Sequence, residues 1–198
     1  HTPLHRVPGG ERAFVVTSAS KSWNLAGLKA GLIVPGAEVA DVVTGLSGYV
    51  PESASYLGVV AHATALTDGR DWLAEASAEI RENKQHFADE LHHAIPELTY
   101  TPSQGTYLAW LDCSPLGLDH AGQHFFEKAK VRFGQGTDYA PSATQFVRVN
   151  LATSKEIISE AVRRMAASLY PHPTTRPRRR FAGLNPGLLG LFTFAGLT

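Results

Sequence analysis

The sequence predicts an α/β chain, in which the end of an α/β module is joined by one long helix to an α+β module. Three observations carry this. The β-branched run Phe14-Val15-Val16-Thr17 leads straight into a polar turn. Leu73, Ala76, Ile80, Phe87, Leu91 and Ile95 recur at three- to four-residue steps over residues 70–95. From residue 97 onward the pattern reads strand, strand, helix, strand, helix.

In order, residues 14–17 are a strand, closed by Ser18-Ala19-Ser20-Lys21. Leu32-Ile33-Val34 reads as a second short buried run, ended by Pro35-Gly36. The Ala-rich stretches 37–46 and 54–67 read as helices around Pro51. The long helix stops at Pro96, whose ring cannot continue it. Tyr107 to Asp112 alternates as a strand, and residues 119–130 suit a helix. Phe146–Leu151 is a further strand. Thr153 and Glu156 read as a capping box for a last helix, with Ile157, Ile158, Ala161, Val162, Met165 and Leu169 on its apolar face. Three segments follow: residues 1–69, residues 70–170, and a Pro-, Arg- and Gly-rich tail, 171–198, expected to be disordered or non-native.

Eighteen basic and eighteen acidic side chains cancel over 198 residues. Arg176, Arg178, Arg179 and Arg180 lie in the tail, which holds no acid, so the body is net acidic. An acidic body argues against nucleic acid as a partner. Cys113 is the sole cysteine, which excludes an intrachain disulfide and a cysteine zinc site and fits a reducing, cytoplasmic setting. No leader pattern opens the chain, and the absence of Met suggests a start inside a longer one. Phe181–Thr198 is apolar but short and broken by Asn185, Pro186 and glycines, so no membrane segment is expected.

The turn Ser18–Lys21 holds the chemistry. Lys21 follows a strand through small residues, and α/β sheets place ligands at such strand ends. Ser18 and Ser20 can donate to a phosphate, and Lys29 is a second cation eight residues on. Read alone, Lys21 is an ordinary solvated lysine. On the strand 146–151 alternation sends Val147, Val149 and Leu151 to one face and Phe146, Arg148 and Asn150 to the other. Arg148 is then a guanidinium on a rigid support, suited to bidentate capture of a carboxylate, although spacing alone favours pairing with an acid on the sheet surface.

The string Ser18-Ala19-Ser20-Lys21-Ser22-Trp23-Asn24-Leu25-Ala26-Gly27-Leu28-Lys29 resembles the lysine signature of fold-type-I pyridoxal-phosphate (PLP) enzymes, the aminotransferase superfamily. Its Ser-Trp-Asn-Leu-Ala-Gly-Leu-Lys portion is similar to the cystathionine β-lyase and cysteine-S-conjugate β-lyase branch. Gly105-Thr106-Tyr107-Leu108-Ala109-Trp110-Leu111-Asp112 and Phe146–Thr153 agree, so the resemblance spans about residues 1–169. It implies a partial PLP-dependent transferase large domain, with an incomplete mixed sheet, plus an α+β C-terminal small domain. It implies PLP bound to Lys21 as a Schiff base, with Ser18, Ser20 and Lys29 at the cofactor and Arg148 on the substrate α-carboxylate. Asn24 steadies the turn or sits at the substrate. The implied reaction is carbon–sulfur β-elimination from an amino acid, in a homodimer of the full-length parent. An aminotransferase and an inactive truncated product are the alternatives.

Departures from the family pattern have physical consequences. Tyr139-Ala140 stands where the family has Phe-Gly, and Gln145 where it has Gly. Lys29 replaces an arginine, which forgoes a bidentate phosphate grip. Family members run to about twice this length, and their first half brings the phosphate loop and the aspartate at the pyridine nitrogen. A sheet lacking its neighbours is expected to expose apolar faces and unpaired edges. Tyr107 and Trp110 read as core or cleft-wall aromatics. His120 and His124 share a helical face but find no third ligand, so no metal is expected.

Overall fold

The computed structural model describes residues 7–170. They divide into two compact units, one up to Ser77 and one from Ala78. Strands β1 (Phe14–Thr17) and β2 (Leu32–Pro35) form an antiparallel pair in the first unit, with Phe14 opposite Pro35 and Thr17 opposite Leu32. The sequence placed Lys21 in a turn directly after a strand, as at the strand ends of parallel sheets. Among the described residues β1 pairs only with antiparallel β2. Leu32 and Ile33 are also not buried, at 41% and 39% exposure.

Helices α1 (Ala40–Thr44), α2 (Tyr49–Glu52) and α3 (Tyr56–Asp68) follow. Ser55 caps α3 by accepting from the Gly58 amide at 3.2 Å. Gly58 is required by contact: a Cβ there would run into the Leu28 carbonyl oxygen, so α3 lies directly on the segment after Lys21. Helix α4 (Arg70–Ala94) is the long helix the apolar spacing predicts. Its fully buried side chains are Asn83, Lys84, Phe87 and Leu91.

The second unit is built on strands β3 (Leu108–Asp112), β4 (Gly134–Gln135) and β5 (Phe146–Asn150), in the antiparallel order β3-β5-β4. The run strand–strand–helix expected from residue 97 is corrected here. The first strand of the unit is β3, and the two-residue β4 takes the other side of β5. Between them, α5 (Ala121–His124) passes into a π-helical turn at Phe125–Ala129, shortening the helix expected at 119–130.

Helix α6 (Lys155–Leu169) closes the unit. Its cap is Ser154, whose hydroxyl accepts from the Ile157 amide at 3.4 Å, and not Thr153. The Thr153 carbonyl instead accepts from Asn83 Nδ2 at 2.6 Å, which holds that residue outside the helix.

The strand alternation on β5 holds: Val147, Val149 and Leu151 are buried with Ala109 and Leu111 of β3. Phe87, Leu91, Ile95, Phe125, Ile158, Val162 and Met165 complete this core. Burying each larger side chain contributes about 1.5–3 kcal/mol. The expectations for the tail 171–198 lie outside the described residues. Within them, no helix is long and apolar enough to cross a membrane.

Candidate cofactor and carboxylate sites

The connection between β1 and β2 carries five of the six expected site residues. Ala19 is buried and anchors the turn, and the Trp23 amide donates back to its carbonyl at 3.0 Å. Ser18 Oγ accepts from the Ser20 amide at 3.3 Å, which leaves its own hydrogen free to donate outward. Ser18 and Ser20 are half-buried, while Lys21, Asn24 and Lys29 are exposed.

Asn24 and Lys29 both adopt left-handed backbone, with φ of 56° and 54°. Asn tolerates that region, but lysine rarely occupies it. The Trp23 indole donates to the Gly69 carbonyl at 2.8 Å, tying the turn to the end of α3. Sequence reasoning did not assign Trp23 this part. Its signal would have been a half-buried indole next to the lysine, whose N–H needs an acceptor.

Arg148 lies in the second unit, on the face of β5 opposite its core. Its strand partners are Trp110 on β3 and Gly134 on β4. Three ion pairs occur among the described residues: Lys155–Glu82, Arg163–Glu160 and Arg164–Glu160. None engages Lys21, Lys29 or Arg148, so the pairing with a surface acid that spacing favoured for Arg148 is not made.

Another missed residue supports this sheet from behind. Lys84 falls on the apolar stripe of α4, between Ile80 and Phe87, and is 3% exposed. Its ammonium donates to the carbonyls of Ser103 and Gly105 at 2.8 and 2.9 Å. Burial holds its pKa below the ordinary lysine value. A charge standing on an apolar stripe was the sequence signal. Next to it, Asn83 Nδ2 donates to Leu151 and Thr153. Consecutive residues of α4 thus fix the segment before β3 and the segment after β5.

Among the described residues no three side chains could hold a metal ion. Cys113 is buried, and burial first, then the neighbouring Asp112 carboxylate, pushes its thiol up to about 12, so it is no nucleophile. The donor set of the first unit is an uncommitted primary amine, two hydroxyls and a second ammonium. That set fits a ligand carrying both an aldehyde and a phosphate.

A lysine turn after a strand, with an arginine strand in an α+β unit, defines a chain of the PLP-dependent transferase fold. The chain belongs to the class I and II aminotransferase family, whose model matches residues 3–165. It is 37% identical over 186 residues to a Mycobacterium tuberculosis protein provisionally named cystathionine beta-lyase, covering 85% of this chain and 46% of that protein. It is 33% identical to the cystathionine beta-lyase of Corynebacterium glutamicum, covering 78% and 42%. A Corynebacterium diphtheriae structure, provisionally described as a PLP-dependent beta-cystathionase, superposes with a TM-score of 0.75 at 35% identity, covering 81% and 43%. The chain spans less than half the length of the curated relatives it matches.

Proposed function

We propose that this chain carries the lysine and arginine of a PLP-dependent carbon–sulfur β-lyase acting on cystathionine or cysteine S-conjugates. The observation that carries the reading is the Ser18–Lys21 turn, with an exposed and unpaired amine beside two hydroxyls. The names of the relatives support the lyase assignment.

In this reading Ser18, Ser20 and Lys29 hold the cofactor phosphate, and Lys21 holds its aldehyde carbon. Asn24 steadies the turn at the substrate. Arg148 grips the α-carboxylate through two parallel N–H donors. With the cofactor bound, the Lys21 amine would be the group placed to take the Cα proton as general base. Bound PLP supplies the electron sink that lets the β-thiolate leave. With one water consumed, the products would be a thiol, pyruvate and ammonia. A homodimer and a cytoplasmic location belong to the same proposal.

An aminotransferase is the second reading. It is favoured by the matched family model itself, and the same lysine and arginine serve both reactions. Because the chain spans less than half of its relatives, the chain alone is expected to be inactive.

Two experiments test this. The chain is incubated with PLP, reduced with borohydride and mapped by mass spectrometry. The expected result is a pyridoxyl adduct concentrated on Lys21 and absent in Lys21→Ala. Equal labelling of all lysines overturns the cofactor site. A full-length protein containing this chain is then given cystathionine: pyruvate release supports the lyase, and keto-acid-dependent amino transfer in its place overturns it.

A further inference from the structure

We propose that Tyr139 is a positioning residue for Arg148, holding its guanidinium by the face while the N–H edges stay free for a carboxylate. The proposal rests on the reading of Arg148 as the carboxylate group, and it adds a device that the strand alone does not provide.

β5 fixes where the arginine side chain begins. It does not fix where the guanidinium ends, because four rotatable bonds lie between. An arginine ion pair would do so, but none engages Arg148 among the described residues. What stands against it is aromatic. The guanidinium carbon lies 4.9 Å from the centroid of the Tyr139 ring. That contact uses the π-face of the cation and leaves its in-plane donors unspent.

The ring is itself braced. Tyr139 meets Trp110 edge-on, with centroids 5.4 Å apart and planes at 87°. Trp110 stacks on Phe146 at 5.7 Å and 14°. Both spacings are favourable aromatic geometries. The backbone of Tyr139 is held as well: its amide donates to the Gly136 carbonyl at 2.9 Å, closing a turn in which Asp138 accepts from the Gln135 amide at 3.2 Å.

Gly134 supplies the lane along which the side chain runs. A Cβ there would sit 3.4 Å from both Cβ and Nε of Arg148 and 3.5 Å from the Tyr139 hydroxyl. A Cβ at 134 would thus make ordinary contact with the arginine and the tyrosine, and only a side chain larger than alanine would intrude on the lane. Tyr139 and Trp110 remain 51% and 45% exposed, so the ladder does not serve to fill a core. An open aromatic shelf around an unpaired cation leaves room for a carboxylate to approach.

The test uses the chain labelled with [15N]arginine, L-methionine as the α-carboxylate probe, and the variants Tyr139→Phe, Tyr139→Leu, Gly134→Val and Arg148→Ala. Ring current should displace the Arg148 Nε–H resonance in wild type and Tyr139→Phe alike. That displacement should be lost in Tyr139→Leu, and in Gly134→Val, which keeps the ring but fills the lane. Methionine binding should weaken about 2- to 5-fold in Tyr139→Leu, the scale of an exposed cation–π contact. It should hold in Tyr139→Phe and vanish in Arg148→Ala. Unchanged core resonances of Val147 and Val149 establish that the variants fold. If Tyr139→Leu leaves the Nε–H resonance in place, the positioning is refuted. If the resonance moves while Arg148→Ala leaves methionine binding unaltered, the positioning stands and the carboxylate reading fails.

Discussion

Replacing Lys84 by methionine tests whether a buried cation holds the sheet that carries Arg148. The ammonium bridges the Ser103 and Gly105 carbonyls from a side chain only 3% exposed. Methionine fills the same channel without a donor. Gly105 keeps one partner, because Ser103 Oγ also donates to its carbonyl at 2.9 Å. The Ser103 carbonyl loses a bond to a charged group, about 1.5–3 kcal/mol. Removing a desolvated charge returns roughly 1 kcal/mol, so the net cost is about 0.5–2 kcal/mol. For a unit of this size that corresponds to a fall in Tm of about 2–15 °C. Circular dichroism melts measure it, and hydrogen exchange locates it: protection should drop at Thr106–Leu108, where the segment enters β3, before it drops on α6. A melt within about 2 °C of wild type would refute the claim that this lysine fixes the segment.

Two further outcomes follow from other contacts. Trp23→Phe keeps the ring but removes the 2.8 Å bond from the indole to the Gly69 carbonyl. It should lower stability by about 1 kcal/mol, raise exchange across residues 18–29, and reduce pyridoxyl labelling of Lys21, all read by mass spectrometry. Glu160 is held at about 2, first by its bond to Arg163 and then by Arg164, below the ordinary 4.5. A depressed carboxyl pKa gives stability that is complete above about 4.5 and is lost as pH falls towards 2. Glu160 is about a third exposed, so Glu160→Gln should cost less than about 1 kcal/mol at pH 7. It should also flatten the acid limb of a Tm-against-pH curve, and an unchanged limb would contradict the assignment.

Much of the fold was legible because the two periods are strong. β1 was read at its bounds, and the burial of Val147, Val149 and Leu151 against the outward Arg148 was read from alternation alone. The long helix was read from its 3.6-residue stripe. Missed features have contacts distant in sequence or too short for a period. The two residues of β4 give no alternation to detect. The cap moved from Thr153 to Ser154 because Asn83, seventy residues away, claims the Thr153 carbonyl. Lys84 went unremarked because its acceptors come from a loop beyond the end of α4. At the candidate site, the lysine turn was legible as a motif and Arg148 as a face. Tyr139 was legible only as a departure from Phe-Gly, since its ring reaches the arginine from a turn and not along a strand.

Closure differs between the two units, and the difference bears on each half of the chemistry. Every large fully buried apolar side chain among the described residues lies at Phe87 or beyond, whereas the first unit fully buries only Ala19 and Ala65 of its apolar residues. Val16, Tyr49, Tyr56 and Leu57 are instead 76%, 83%, 79% and 69% exposed. A helix apolar on most sides, as α3 is, belongs to an element meant to be covered. The Lys21 turn is therefore shaped by single polar and backbone contacts of about 1 kcal/mol each, set against an ordering cost of about 1–2 kcal/mol per residue. Arg148 rests on a closed core that meets this cost by burial. The amine should accordingly lose its geometry under milder denaturant than the guanidinium, and covering the exposed apolar surface of the first unit is what would bring the two to equal footing.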